Sequence, residues 1–208
     1  MVHAWIAGLG LGCFVAAQVG PVSLLCIRTS TRSGFRAGAA VGLGAAAIDL
    51  LYATLGVLGA ATVVGLTPVR LGLGLVGMLV LAVMGVRTLR AASRIRLGAE
   101  TNDEVDVPAR ALRTGLVATA SNPLTILSWT AIFGAAATAS LLDSRSSAVA
   151  LLLGVGIGSA AWFLGLSAVS SRAGRLLGPR SLAAIDTVAG VGLLLFAAVL
   201  GVRTIREV

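Results

Sequence analysis

The chain has 208 residues, of which 57% are hydrophobic and 12% charged, with a formal net charge of +8 and a mean hydropathy of +1.00. Too few polar side chains are present to cover a water-facing surface, which excludes a soluble domain and makes the bilayer the solvent. All 16 basic residues are arginine, and they lack the aromatic stacking face of a nucleic-acid binder, which excludes that class.

Reading from charge to charge predicts six membrane helices, at 4–27, 37–66, 71–86, 114–142, 147–170 and 182–202. The first has no basic residue ahead of it and stays apolar through Pro21 to Ile27, so it reads as a retained helix and not a cleaved leader. Gly20 and Pro21 should break it, because proline has no amide hydrogen and its ring clashes with the carbonyl one turn back. Gln18 places an amide beside that break. The second stretch carries Asp49 near its middle and Tyr52 three residues on, on the same helical face. An ionisable group at that depth costs about 2.5 to 3.5 kcal/mol and is rarely idle. Asp49 can hold a substrate ammonium, carry a coupling proton, or tie helix 2 to a neighbour.

The third stretch is short, and Arg70 and Arg87 must snorkel from its ends. Between it and the fourth lies the one long polar connection, with Glu100, Asp103, Glu104, Asp106 and Pro108, read as a cytoplasmic linker over 91–113. It divides the chain into a first unit, 1–90, and a second, 114–208. The fourth stretch is broken in its turn at Asn122 and Pro123, with Ser121, Thr125, Ser128 and Trp129 close by. In the fifth, Gly154 and Gly158 form a small-xxx-small pair for close helix packing, as Gly38 and Gly42 do in the second. On sequence grounds alone Trp162 reads as a path-lining, a core or a lipid-facing aromatic.

Arg28, Arg32 and Arg36 fall between the first two stretches, six more arginines between the third and fourth, and Arg172, Arg175 and Arg180 between the fifth and sixth. The positive-inside rule puts those loops in the cytoplasm and both termini outside. The third and sixth stretches end in nearly the same hexapeptide, Gly85-Val86-Arg87-Thr88-Leu89-Arg90 and Gly201-Val202-Arg203-Thr204-Ile205-Arg206. Glycine pairs Gly42, Gly44 and Gly156, Gly158 hold corresponding places in the second and fifth. Two units of three crossings each must be inverted relative to one another, and breaks at matching places in such units mark a transporter's binding site. The fold expected is therefore all-α: a polytopic membrane protein of two inverted three-helix repeats with broken helices 1 and 4.

The helix ends exposed after Pro21 and Pro123 offer amide donors for a carboxylate, and Asp49 offers an acceptor for an ammonium, a pairing that suits an amino acid. The run Gln18, Gly20, Pro21, Val22, Arg28, Gly34, Arg36, Gly38, Gly42, Gly44, Asp49 and Tyr52, with Asn122 and Pro123, resembles the lysine exporter (LysE/RhtB-type) family of amino-acid effluxers. The resemblance implies a bacterial inner-membrane exporter of amino acids or related small metabolites that works by exchange for protons. It also implies functional positions at Gln18, Gly20, Pro21, Asp49, Asn122 and Pro123; Tyr52 and Thr125 join them on the residue reading. The partners implied are the bilayer and a small amino-acid-like molecule, with a homo-oligomer left open and no cofactor, metal or nucleic acid. A thiol electron carrier of DsbD/CcdA type has a similar architecture, but needs a cysteine on each broken helix, and here Cys13 and Cys26 share the first stretch. A serine hydrolase lacks its base, since His3 is the only histidine. A metal-ion exporter finds no Cys/His cluster for soft metals.

Overall fold

A computed structural model describes residues 1–18, 20–58, 75, 78–79, 82–83, 85–90, 108–122, 125–126, 128–129, 132 and 144–206. Among these residues the regular structure is entirely helical. Five helices are defined: α1 Val2–Ala17, α2 Pro21–Val57, α3 Pro108–Ala120, α4 Arg145–Leu176 and α5 Pro179–Arg206. Residues 85–90 are helical as well. Among the described residues three helices are long and apolar enough, by length and composition, to cross a bilayer: Pro21–Val57, taken across its kink at Gly34, Arg145–Leu176 and Arg180–Val199.

The chain leaves α1 at Gln18, whose backbone is extended (φ −60, ψ 120). Gly20 is extended too (φ −151, ψ −174), and Pro21 opens α2 in the first turn, where its missing amide costs nothing. Within α2 the backbone at Gly34 adopts φ 82, ψ −177, a region that is essentially glycine's alone. There the chain reverses, leaving two arms, 21–33 and 35–57. Arg28 and Arg32 therefore do not lie in an interhelical loop as expected: the helix runs past Ile27 to Ser33 because no breaker stands before Gly34, and Arg28 is buried within it. The polar linker likewise ends sooner than residue 113, since Pro108 opens α3 and puts Arg110 and Arg113 on a helix.

Glycines set the helix crossings. A Cβ at Gly8 or Gly12 of α1 would fall on the carbonyls of Leu151 or Val155, and one at Gly154 or Gly158 on the backbone of α1. So α1 lies directly on α4, and arm 21–33 continues alongside it in the same direction, with Thr31 against Gly174. Arm 35–57 takes α3 in the same manner: a Cβ at Gly115 would strike Val41, and one at Gly44 the turn of Leu112 to Leu116. Gly85 packs on Leu194 while Gly201 packs on Met78, so the described residues from Met78 to Arg90 are ordered antiparallel to α5. Together these contacts bring Arg36, Arg87, Arg90, Arg110, Arg113, Arg172, Arg175 and Arg180 to one end of the bundle, and leave Arg145 at the other.

The outer surface of the bundle carries many exposed apolar side chains, and its interior mixes apolar clusters with buried polar side chains. Val149, Leu153, Ile157, Trp162 and Val169 of α4 are exposed, while Ser159, Ser167, Ser170 and Ser171 of the same helix are buried. That distribution suits a lipid surround. Trp162 faces outward and takes no part in the interior.

Candidate functional site

Beside the ends of α1 and α3 a small cavity is lined by Val15, Ala16, Gln18, Gly20, Val22, Ser23, Asp49, Thr119, Asn122, Thr125 and Phe163. It holds about 20 Å³ of free volume, roughly the room one water molecule needs. Five of the residues singled out from the sequence meet here: Gln18, Gly20, Asp49, Asn122 and Thr125. Pro21 stands at the head of arm 21–33, whose first turn supplies Val22 and Ser23 to the wall. The amides of a first helical turn have no partner within the helix, so this turn presents donors toward the cavity. Pro123 lies outside the described residues.

Asp49 is 2% exposed, and both of its oxygens accept hydrogen bonds. Trp129 Nε1 donates to Oδ1 at 3.1 Å, and Ser159 Oγ donates to Oδ2 at 2.6 Å. The carboxylate is thus clamped between the helix that follows Asn122 and the middle of α4. Tyr52 does not share that space. Its hydroxyl reaches one turn further and donates to the carbonyl of Ala120 at 2.7 Å, satisfying a backbone acceptor at the end of α3. The residue is thereby a fixture of the second chain interruption and is absent from the cavity wall.

The two interruptions touch through side chains. Ser128 Oγ donates to Gln18 Oε1 at 3.1 Å, and Asn122 Nδ2 donates to Thr125 Oγ1 at 3.0 Å. Ser23 Oγ lies 3.4 Å from the carbonyl of Gln18, to which it donates. Ser159, Phe163 and Thr119 are among the contributors not singled out from the sequence. Ser159 is a lone hydroxyl on an apolar helix, and only the fold shows that it faces Asp49. Phe163 sits one turn further along α4. Thr119 is 2% exposed on the cavity wall, and its Oγ1 has no hydrogen-bond partner among the described residues. The cysteines serve packing: Cys13 Sγ approaches the carbonyl of Gly158 at 3.3 Å and Cys26 Sγ the hydroxyl of Ser167 at 3.2 Å, and both thiols are free.

A multi-pass helical membrane protein whose helix ends surround a buried carboxylate and a set of amides and hydroxyls is built as a translocator of small polar molecules. The family comparison agrees. Residues 13–204 match the family model described as LysE type translocator, and the chain belongs to that family. Over 210 residues, 99% of both chains, it is 28% identical to a Bacillus subtilis (strain 168) protein named "Putative amino acid efflux protein YcgF". Over 137 residues, 66% of both chains, it is 32% identical to the "Chemotactic transduction protein ChpE" of Pseudomonas aeruginosa. No solved structure matches.

Proposed function

We propose that this protein exports amino acids or related small metabolites across the bacterial inner membrane, coupled to protons, through six membrane spans arranged as two inverted repeats. The observation that carries the reading is the cavity itself, which joins a buried carboxylate, a hydroxyl unpartnered among the described residues and the ends of α1 and α3. Arm 21–33 offers the donors of its first turn to a substrate carboxylate, Asp49 offers an acceptor to an ammonium or takes up the coupling proton, and Thr119 adds a hydroxyl between them. Gln18, Asn122 and Thr125 complete the polar lining. With about 20 Å³ free, the cavity is too small as it stands for an amino acid and has to widen to admit one.

The helix contacts support the inverted repeat. Gly12 meets Val155 as Gly115 meets Val41, Gly158 meets Leu9 and Cys13 as Gly44 meets Leu112 and Leu116, and Gly85 and Gly201 exchange partners in the same way. Each unit's first half-helix packs on the other unit's middle helix, α1 on α4 and α3 on arm 35–57, the exchange expected of a two-fold axis in the membrane plane. The YcgF similarity supports amino acids as the cargo class.

The test is a resistance screen with toxic amino-acid analogues in cells expressing the chain, combined with metabolite profiling of the medium. Resistance to a defined group of analogues, with the matching amino acid accumulating outside, is the expected result. An unchanged medium across the full amino-acid panel would overturn the reading. A second reading has one observation in its favour: both oxygens of Asp49 are already bonded within the protein, as in a static helix-to-helix tie.

A further inference from the structure

The supply of charge at the cavity limits what a cargo can carry beyond its ammonium and carboxylate. The chain has eight acidic residues, and only Asp49 and Asp186 fall within its apolar stretches; the others are Glu100, Asp103, Glu104 and Asp106 of the linker, Asp143 and Glu207. Asp186 is engaged elsewhere. Arg28 Nε donates to its Oδ1 at 3.0 Å and Arg32 pairs with its Oδ2, and it does not line the cavity. Asp49 is thus the one carboxylate that lies both within an apolar stretch and on the cavity wall. A single ammonium uses it. A second cation on the cargo would be buried without a partner, and a second carboxylate would find no arginine, since none lines the wall among the described residues.

The rest of the wall is divided. Asp49, Thr119, Asn122 and Thr125 come from arm 35–57, from α3 and from the chain just beyond it, whereas Ala16, Val22 and Phe163 come from α1, arm 21–33 and α4. Those three belong to one buried apolar cluster, so they form a continuous patch and not scattered methyl groups. Phe163 is the largest of them and is 4% exposed. It stands one turn beyond Ser159, whose hydroxyl holds Asp49, so α4 carries both the partner of the carboxylate and the apolar patch on one face. A Cβ at Gly42 would overlap Phe163 Cβ, so the root of the ring has no room to retreat toward arm 35–57.

We infer that the cargo is an amino acid with an uncharged aliphatic side chain, which lies against Ala16, Val22 and Phe163, and that Phe163 sets the length of side chain admitted. The inference rests on the transport reading above and narrows it. With the ammonium at Asp49 and the carboxylate at the first-turn donors of arm 21–33, the substituent on the α-carbon meets the apolar patch. Burial against that patch favours an aliphatic group, and lysine, arginine, aspartate and glutamate are rejected because each would carry an unpaired charge into the interior.

The experiment is counterflow in proteoliposomes of the full chain, which needs no assumption about the coupling ion. Vesicles are loaded with one unlabelled amino acid and entry of the same labelled compound is followed, for alanine, valine, leucine, phenylalanine, lysine, arginine and glutamate in turn. Valine or leucine should exchange with a kcat/KM at least about a hundredfold above that of lysine, arginine or glutamate, as an unpaired buried charge implies. Phe163→Ala should raise the ratio of phenylalanine to alanine exchange at least about tenfold, and Phe163→Leu should shift it in the same direction if the alanine variant does not accumulate. Lysine, arginine or glutamate exchanging as fast as valine overturns the charge class and leaves the transport reading standing. Parent ratios in a folded Phe163 variant overturn the role of Phe163. Exchange of no amino acid in the panel overturns the transport reading itself, and this inference with it.

Discussion

At the residue scale, the buried carboxylate was legible in the sequence because a lone charge in an apolar stretch needs no fold to stand out, whereas its partners were not. Ser159 and Thr119 are ordinary small polar residues until α4 and α3 turn them inward. Tyr52 was read as a neighbour of Asp49 from its spacing of three, yet its longer side chain carries the hydroxyl to Ala120. Thr119→Val keeps the shape of the side chain and removes only a hydroxyl that bonds nothing among the described residues. Thermal unfolding in detergent should therefore be unchanged or slightly raised, while the concentration for half-maximal export rises several-fold. Ser159→Ala strips one donor from Asp49 and should lower export about tenfold, as loss of a bond to a charged group of about 1.5 to 3 kcal/mol implies. Tyr52→Phe should cost about 1 kcal/mol in unfolding and leave export above half.

At the element scale, prolines and glycines marked where helices stop, and Gly34 shows the limit of that signal. Its sequence context does not distinguish it from the packing glycines, so the arginines ahead of it read as loop residues when they belong to a helix. Gly34→Ala meets open space but must hold φ 82, at a cost of about 1 to 3 kcal/mol. Gly10 and Gly12 make a sharper comparison on one helix. Among the described residues no atom lies within 4 Å of a Cβ at Gly10, whereas a Cβ at Gly12 would overlap the backbone of Val155. Gly10→Ala should raise thermal stability slightly, since alanine is the better helix former by about 1 kcal/mol. Gly12→Ala should lower it by about 1 to 3 kcal/mol through forced separation of α1 from α4. Equal effects of the two would contradict the close crossing.

At the scale of the whole molecule, the helical membrane class was legible because the bilayer acts on the composition of the entire chain, and the repeated hexapeptide is the sequence basis of the proposed inverted repeat. The described contacts gather the loop arginines at one end, and under the positive-inside rule a reporter fused after Val208 should be extracytoplasmic and one placed within 100–106 cytoplasmic. Hidden from the sequence was Asp186, whose two arginine partners stand 158 and 154 positions away, too far for any local pattern to link them. The central claim is that the cavity around Asp49 is a working transport site and not a structural tie. Export of the accumulated compound, measured at matched membrane abundance for Asp49→Asn and Asp49→Glu, tests it most directly. The account predicts that the Asn variant, which keeps the shape and hydrogen-bonding capacity but loses the charge, is expressed and folded with export reduced to background, while the Glu variant retains part of it. Export near the parent level in Asp49→Asn would contradict the account, since an amide serves as well as a carboxylate where the group only ties helices together.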